Sequence, residues 1–109
     1  MHIRTQINDS DISGAFRSYI ERRLRFSLGR FGDRVGPISV RLKANGPTGH
    51  KCSMSAVILP SGRITVTETD FDLFSAIDRA AGKLGQQFGR ELDRIRDARV
   101  DRQSVRLAA

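Results

Sequence analysis

The sequence predicts an α+β domain of order β-α-β-β-β-α, with a four-stranded sheet and two amphipathic helices packed on one face. Three observations predict it. Four short segments alternate polar and apolar residues, two longer ones repeat their apolar residues every three or four positions, and turn residues separate them. At 109 residues the chain has the length for one two-layer core.

The first strand is residues 2–7, where Ile3, Thr5 and Ile7 share one side and His2, Arg4 and Gln6 form a wet face. Asn8 to Asp11 are turn and capping residues, and Ser13 is the expected N-cap of a helix running to Phe31. Its core stripe is Phe16, Ile20, Leu24, Leu28 and Phe31, while Tyr19, Arg22, Arg23, Arg25, Phe26 and Arg30 lie opposite. Gly29 and Gly32 weaken the last turn, and Gly36-Pro37 ends any helix. Ile38, Val40 and Leu42 then alternate with Ser39, Arg41 and Lys43 in a second strand.

After the loop Asn45–His50, residues 51–59 form a third strand with Cys52, Met54, Ala56 and Ile58 on the core face. Pro60-Ser61-Gly62 turns the chain into a fourth strand, Arg63 to Glu68, with Ile64 and Val66 inward. Asp70 is the expected N-cap of the second helix, with Asp72 favouring its dipole. The stripe of that helix runs through Leu73, Phe74, Ile77, Ala81, Leu84, Phe88, Leu92 and Ile95. The domain is expected over residues 1–98, and 99–109, which show no clear period, as a flexible tail.

Gly82, Gly85 and Gly89 stack on one flank of the second helix, although each costs about 1 kcal/mol against alanine in a helix interior. They can seat the first helix, with Tyr19 and Phe26 the bulky side chains expected against them. They can admit an RNA backbone, or simply be tolerated in a helix held by its stripe. The first reading is the expectation, because a flat ridge lets a neighbouring backbone come close.

The net charge is +7, from 19 basic and 12 acidic side chains, and such a balance suggests a polyanionic partner. Arg22, Arg23, Arg25 and Arg30 on the first helix, and Arg79, Lys83, Arg90 and Arg94 on the second, are expected to line a common groove, with Gln87 beside them. Such a surface gains affinity by neutralising phosphates and releasing counterions. The alternative is a solvated face laced with ion pairs such as Glu21–Arg25.

Catalysis, metal binding and cofactor binding have no support. The two histidines stand apart, no His, Cys or carboxylate pair has metal-ligand spacing, and capping explains Asp70 and Asp72. Cys52, mid-strand and inward, is expected to be inert. The lone cysteine and the lack of a secretory signal point to the cytoplasm, and no stretch is apolar enough to span a membrane.

Through residue 98 the chain resembles the ribosome hibernation promoting factors, also called ribosome-associated inhibitor or sigma-54 modulation proteins. The resemblance rests on the element order, on ISGAFRSYIERRL in the first helix and on TDFDLFSAIDRAAGKLGQQFGR opening the second. In the second stretch Ala76-Ile77-Asp78, Lys83-Leu84 and Gln87 fall in the family's register, whereas Phe26, Gly89, Glu91 and Leu92 depart from its basic places. The resemblance implies binding in the messenger and transfer RNA channel of the small ribosomal subunit, against 16S rRNA, and inhibition of translation in stress or stationary phase. It also implies a short-type member, monomeric when free, with no small-molecule substrate. Arg17 and Arg23 match basic places in the first helix, and Lys83, Gln87 and Arg90 match polar or basic places in the second.

Two other readings stand beside it. A double-stranded-RNA-binding domain has a G-P-x-H loop, and Gly46-Pro47-Thr48-Gly49-His50 carries one extra residue; the lysine cluster of that domain is replaced by Asp70 and Asp72. A protein-interaction module docking a partner helix on the glycine ridge is the third.

Overall fold

The computed structural model describes the backbone of residues 2–8 and 14–108, and the side chains of residues 2–7 and 14–98. The elements are β1 (Ile3–Asn8), α1 (Ala15–Leu28), a 3-10 segment (Gly29–Arg34), β2 (Val35–Ala44), β3 (His50–Ile58), β4 (Arg63–Asp70) and α2 (Leu73–Ala108). The strands lie in the order β1-β2-β3-β4, with β1 parallel to β2 and the other pairs antiparallel. A parallel neighbour needs a crossover, and α1 supplies it. The predicted fold class is the observed one.

Alternation decides which side of the sheet is covered. Ile38, Val40 and Leu42 of β2, and Cys52, Met54, Ala56 and Ile58 of β3, are buried under Ile20, Leu24 and Leu28 of α1 and Ile77, Leu84 and Phe88 of α2. Phe31 stacks on Phe88 at 5.0 Å between centroids, so the 3-10 segment continues the core stripe that α1 begins. No buried polar or charged residue occurs among the described residues. The cohesion of the two layers is therefore apolar.

Several boundaries differ from the sequence reading. The α-helical hydrogen bonding of α1 stops at Leu28, three residues before Phe31, where Gly29 opens the tighter segment. Gly36 and Pro37 lie inside β2, at an irregularity between Val35 and Ile38 in the pairing with β3. Ser13 and most of the Asn8–Asp11 turn lie outside the described residues, and Gly14, at the N-cap position of α1, offers no side-chain cap.

The cap of α2 moves by two residues. Asp70 belongs to β4, and its Oδ1 accepts from the Asp72 N–H at 2.9 Å. Asp72 is the N-cap: its carbonyl accepts from the Ala76 N–H at 3.1 Å and its Oδ1 from the Phe74 N–H at 3.3 Å. Gly49 abuts this junction in the positive-φ region (φ 96°), where an added Cβ would stand 2.5 Å from the Asp70 carbonyl oxygen. That close approach accounts for the second glycine of the Gly46–His50 loop without an RNA groove. The backbone of α2 is helical to Ala108, through the segment that shows no sequence period.

The glycine ridge does seat the first helix, though by other residues than expected. A Cβ on Gly85 would stand 2.8 Å from the Ser27 carbonyl oxygen, and one on Gly89 would stand 3.2 Å from the Phe31 ring. Tyr19 packs instead on Phe74, edge to face at 4.9 Å, and Phe26 is 80% exposed. Gly82 has nothing within 4 Å of an added Cβ. A partner helix has no free ridge to occupy, because this chain's own Ser27 and Phe31 fill it at Gly85 and Gly89.

These two environments predict opposite signs. Gly85→Ala must push the α1 backbone away and should destabilise by about 1–3 kcal/mol, whereas Gly82→Ala should gain about 1 kcal/mol from helix propensity. Thermal denaturation of both variants reads the two shifts, and equal shifts would show that the ridge does not set the helix spacing.

Candidate nucleic-acid interface

The ten expected contact residues sit on the two helices and the 3-10 segment, and all but the half-buried Arg23 are exposed. They do not form one groove. At about 100° per residue, Arg17 and Arg25 fall on the flank of α1 away from Tyr19, Arg23 and Ser27, the residues that meet α2. Arg79 and Lys83 turn to the far flank of α2, over β4. The furrow between the helices is a hollow of about 290 Å³ bounded by Phe26, Ser27, Arg30, Gly82, Gly85 and Gln86. Of the expected cations only Arg30 borders it.

Asp78 ties the helices together at the N-terminal end of α2. The Tyr19 hydroxyl donates to Asp78 Oδ1, and Arg23 Nε lies 3.0 Å from the same oxygen, an ion pair in which that N–H is not aimed for a hydrogen bond. The Arg23 guanidinium also lies 5.6 Å from the Phe26 ring centroid. Accepted by the Asp78 carboxylate and shielded from water, the Tyr19 phenol is held above its ordinary pKa. In the sequence Asp78 stands out only as the end of the Ala76-Ile77-Asp78 stretch. Its role is to join α1 to α2.

Glu68 does the equivalent work on the other flank. It points to the helix side of β4, where its Oε2 meets Arg79 Nη2 at 3.0 Å and its Oε1 meets Lys83 Nζ at 2.6 Å. Arg79 Nη1 also reaches Asp70 Oδ2 at 3.0 Å. The Lys83 and Arg79 hydrogen bonds hold the Glu68 carboxyl below its ordinary range. On the exposed surface further along α2, Arg94 pairs with Glu91 one turn back.

The basic face is thus divided. Arg23, Arg79, Lys83 and Arg94 are engaged by carboxylates, and Arg30 lies over the Phe31 ring at 4.7 Å. Arg17, Arg22, Arg25 and Arg90 make no ion pair among the described residues, and the Glu21–Arg25 pair does not form. Those four guanidinium groups, with the amide of Gln87, are unengaged donors presented to solvent.

Elsewhere the structure offers little reactive chemistry. Burial pushes the Cys52 thiol up to about 12, so it stays protonated on the core face. Among the described residues no group of three or more His, Cys, Asp or Glu could hold a metal ion, and no helix is long and apolar enough to cross a membrane.

The chain is similar to known proteins. Residues 3–96 match the Sigma 54 modulation protein / S30EA ribosomal protein family. The N-terminal domain of protein Y from Thermus thermophilus superposes with a TM-score of 0.70 at 32% identity, over 83% of this chain and 98% of that one. A ribosomal subunit interface protein from Coxiella burnetii superposes with a TM-score of 0.72 over 85% of this chain and 99% of that one; at 22% identity it shows the shared fold. No curated protein matches. The chain belongs to the Sigma 54 modulation protein / S30EA ribosomal protein family, a family of ribosome-associated proteins.

The Glu68 cluster predicts a pH-dependent stability. A carboxyl held below its ordinary pKa stabilises the fold above its unfolded value, and this is lost as pH falls through the folded one. Wild type should therefore exceed Glu68→Gln by roughly 1 kcal/mol at neutral pH, and the gap should close as the solution is acidified below the ordinary carboxylate range. Urea unfolding at several pH values measures the gap, and a gap independent of pH would exclude the cluster as its source.

Proposed function

We propose that this domain binds the small ribosomal subunit in the channel of messenger and transfer RNA and stops translation under stress or in stationary phase. The family match over residues 3–96 carries the reading. The Coxiella protein is named for a ribosomal subunit interface, which is consistent with it. The functional unit is residues 1–98, with 99–109 outside it, and the protein acts as a monomer in the cytoplasm, where ribosomes are. It acts by occupancy, with no bond made or broken.

The contacts expected to do this are the unengaged donors. Arg17, Arg22, Arg25 and Arg90 can meet ribosomal RNA phosphates directly, each gaining by counterion release. Arg23, Arg30, Arg79, Lys83 and Arg94 also belong to the proposed surface, but those held by carboxylates must share or leave their partners to reach RNA. Lys83 is the clearest case, since Glu68 holds it at 2.6 Å. Its contribution is therefore smaller than its exposure suggests.

Sedimentation tests the reading. On sucrose gradients of stationary-phase lysate the protein should travel with small subunits or whole ribosomes; recovery only at the top of the gradient at low salt would contradict the proposal. Arg22→Ala with Arg90→Ala should leave the fold intact and lower the salt slope of ribosome binding by roughly one unit per lost contact. Lys83→Ala should lower it by less than Arg90→Ala alone. An unchanged slope in the double variant would place these arginines in solvent.

A further inference from the structure

The face of the sheet opposite the helices is bare, and among the described residues its charge is of one sign. The strand registers arrange it in three rows running across the sheet. The first is Arg4, Ser39, Ser55, Thr65; the second is Gln6, Arg41, Ser53, Thr67; the third brings Lys43 opposite Lys51 and then Thr69. Every described aspartate and glutamate lies on a helix, on the 3-10 segment, in the turn before α2, or on the helix-facing side of β4. None stands on this face, and Arg4, Arg41, Lys43 and Lys51 make no ion pair among the described residues.

The fold has no use for this arrangement. Lys43 and Lys51 are direct partners on antiparallel strands, where like charges repel and weaken the pairing. Arg41 is one step away on the same face, and the three cations with Ser53 border a small hollow of about 80 Å³. A larger hollow of about 350 Å³ adjoins it, and Arg4, Arg41, Ser39 and Ser55 are among the residues that border it. Ser53 borders both hollows and stands 3.2 Å from the Thr67 hydroxyl, and at the larger one Thr65 donates to Ser55 at 3.3 Å.

We propose that this open sheet face is a second RNA-contacting surface, which takes the sugar–phosphate backbone of an RNA strand across Arg4, Arg41, Lys43 and Lys51. An anion relieves the Lys43–Lys51 repulsion, and side chains two residues apart on a strand stand about 6.8 Å apart, comparable to successive phosphates. The serine and threonine hydroxyls can donate to phosphate and accept from ribose 2′-hydroxyls. No aromatic ring stands in the three rows to stack a base, so the contact reads backbone and not sequence. The domain would then be gripped between two RNA surfaces. The inference rests on the ribosome reading only for which RNA is held.

The test is the salt dependence of binding to a uridylate oligonucleotide, for wild type and for the triple variant Arg41→Gln, Lys43→Gln, Lys51→Gln. The variant should melt no lower than wild type, and its slope of log K against log salt should be shallower by about 2 units, at ~0.7 per lost cation on a single strand. An unchanged slope, or no binding by wild type at low salt, overturns the inference. So does binding to poly-glutamate or to phosphatidylglycerol vesicles as tight as to RNA at equal salt, which would assign the face to an acidic protein or a membrane. Should the triple variant unfold, Lys51→Gln and Arg41→Gln alone carry the test, each expected to lower the slope by about 0.7. Ribosome pelleting of the same proteins separates the two claims. Wild type that fails to pellet, with a variant slope that still falls, removes the ribosome reading and keeps this one; intact pelleting with an unchanged slope does the reverse.

Discussion

The close approach of α1 to α2 at Gly85 is the constraint on which the rest of the molecule depends. The axes of the outer strands of a four-stranded sheet are about 14 Å apart, and two helices cover that width only if their own axes lie about 8–10 Å from each other. Here the Ser27 carbonyl oxygen stands 2.8 Å from where a Gly85 Cβ would be, so the spacing is set by a missing side chain. Because both helices fit on one face, all the apolar stripes converge there. The opposite face is left to water, hydroxyls and cations.

That segregation gives the two faces different electrostatics. The helix side mixes signs: Glu68 and Asp70 hold Arg79 and Lys83, and Asp78 holds Arg23, so charge on that side also fastens helix to sheet and helix to helix. Among the described residues the charged groups of the open sheet face are cations alone. On the proposed reading both have a use, since a small domain held among RNA segments would meet phosphate on more than one side. Engaged arginines fasten the helices in place, while the unengaged ones are the donors proposed to supply salt-sensitive affinity.

Much of the fold was legible because its signals are local. The alternation of Ile38, Val40 and Leu42 and the stripe through Leu73, Ile77, Ala81, Leu84 and Phe88 need only neighbours a few residues away, and both sets are buried as expected. The errors fall where pairing overrides local chemistry. Gly36-Pro37 reads as a helix stop, and the helical segments do end at Arg34. But β2 begins before the pair, at Val35, because the missing Pro37 N–H is tolerated at its irregular start, before regular pairing resumes at Ile38. Asp70 and Asp72 have equal capping chemistry, and only the His50–Asp70 pairing in the sheet decides that Asp70 stays in β4. The site was less legible for the same reason. A helical wheel separates the glycine flank from the basic flank correctly, but it cannot show that Glu68 reaches back from β4 to occupy Arg79 and Lys83. Nor do the wet faces of separate strands reveal that register sets Lys43 against Lys51.

Only three lysines occur in the chain, and they report on both faces: Lys43 and Lys51 on the open sheet, Lys83 on the helix side. Amine acetylation of the protein alone and bound to purified ribosomes, quantified by mass spectrometry, therefore tests the central claim in one measurement. The account predicts that ribosomes slow the labelling of all three, with Lys83 the least reactive in the free protein because Glu68 already holds it. Labelling that ribosomes leave unchanged at all three lysines would contradict it.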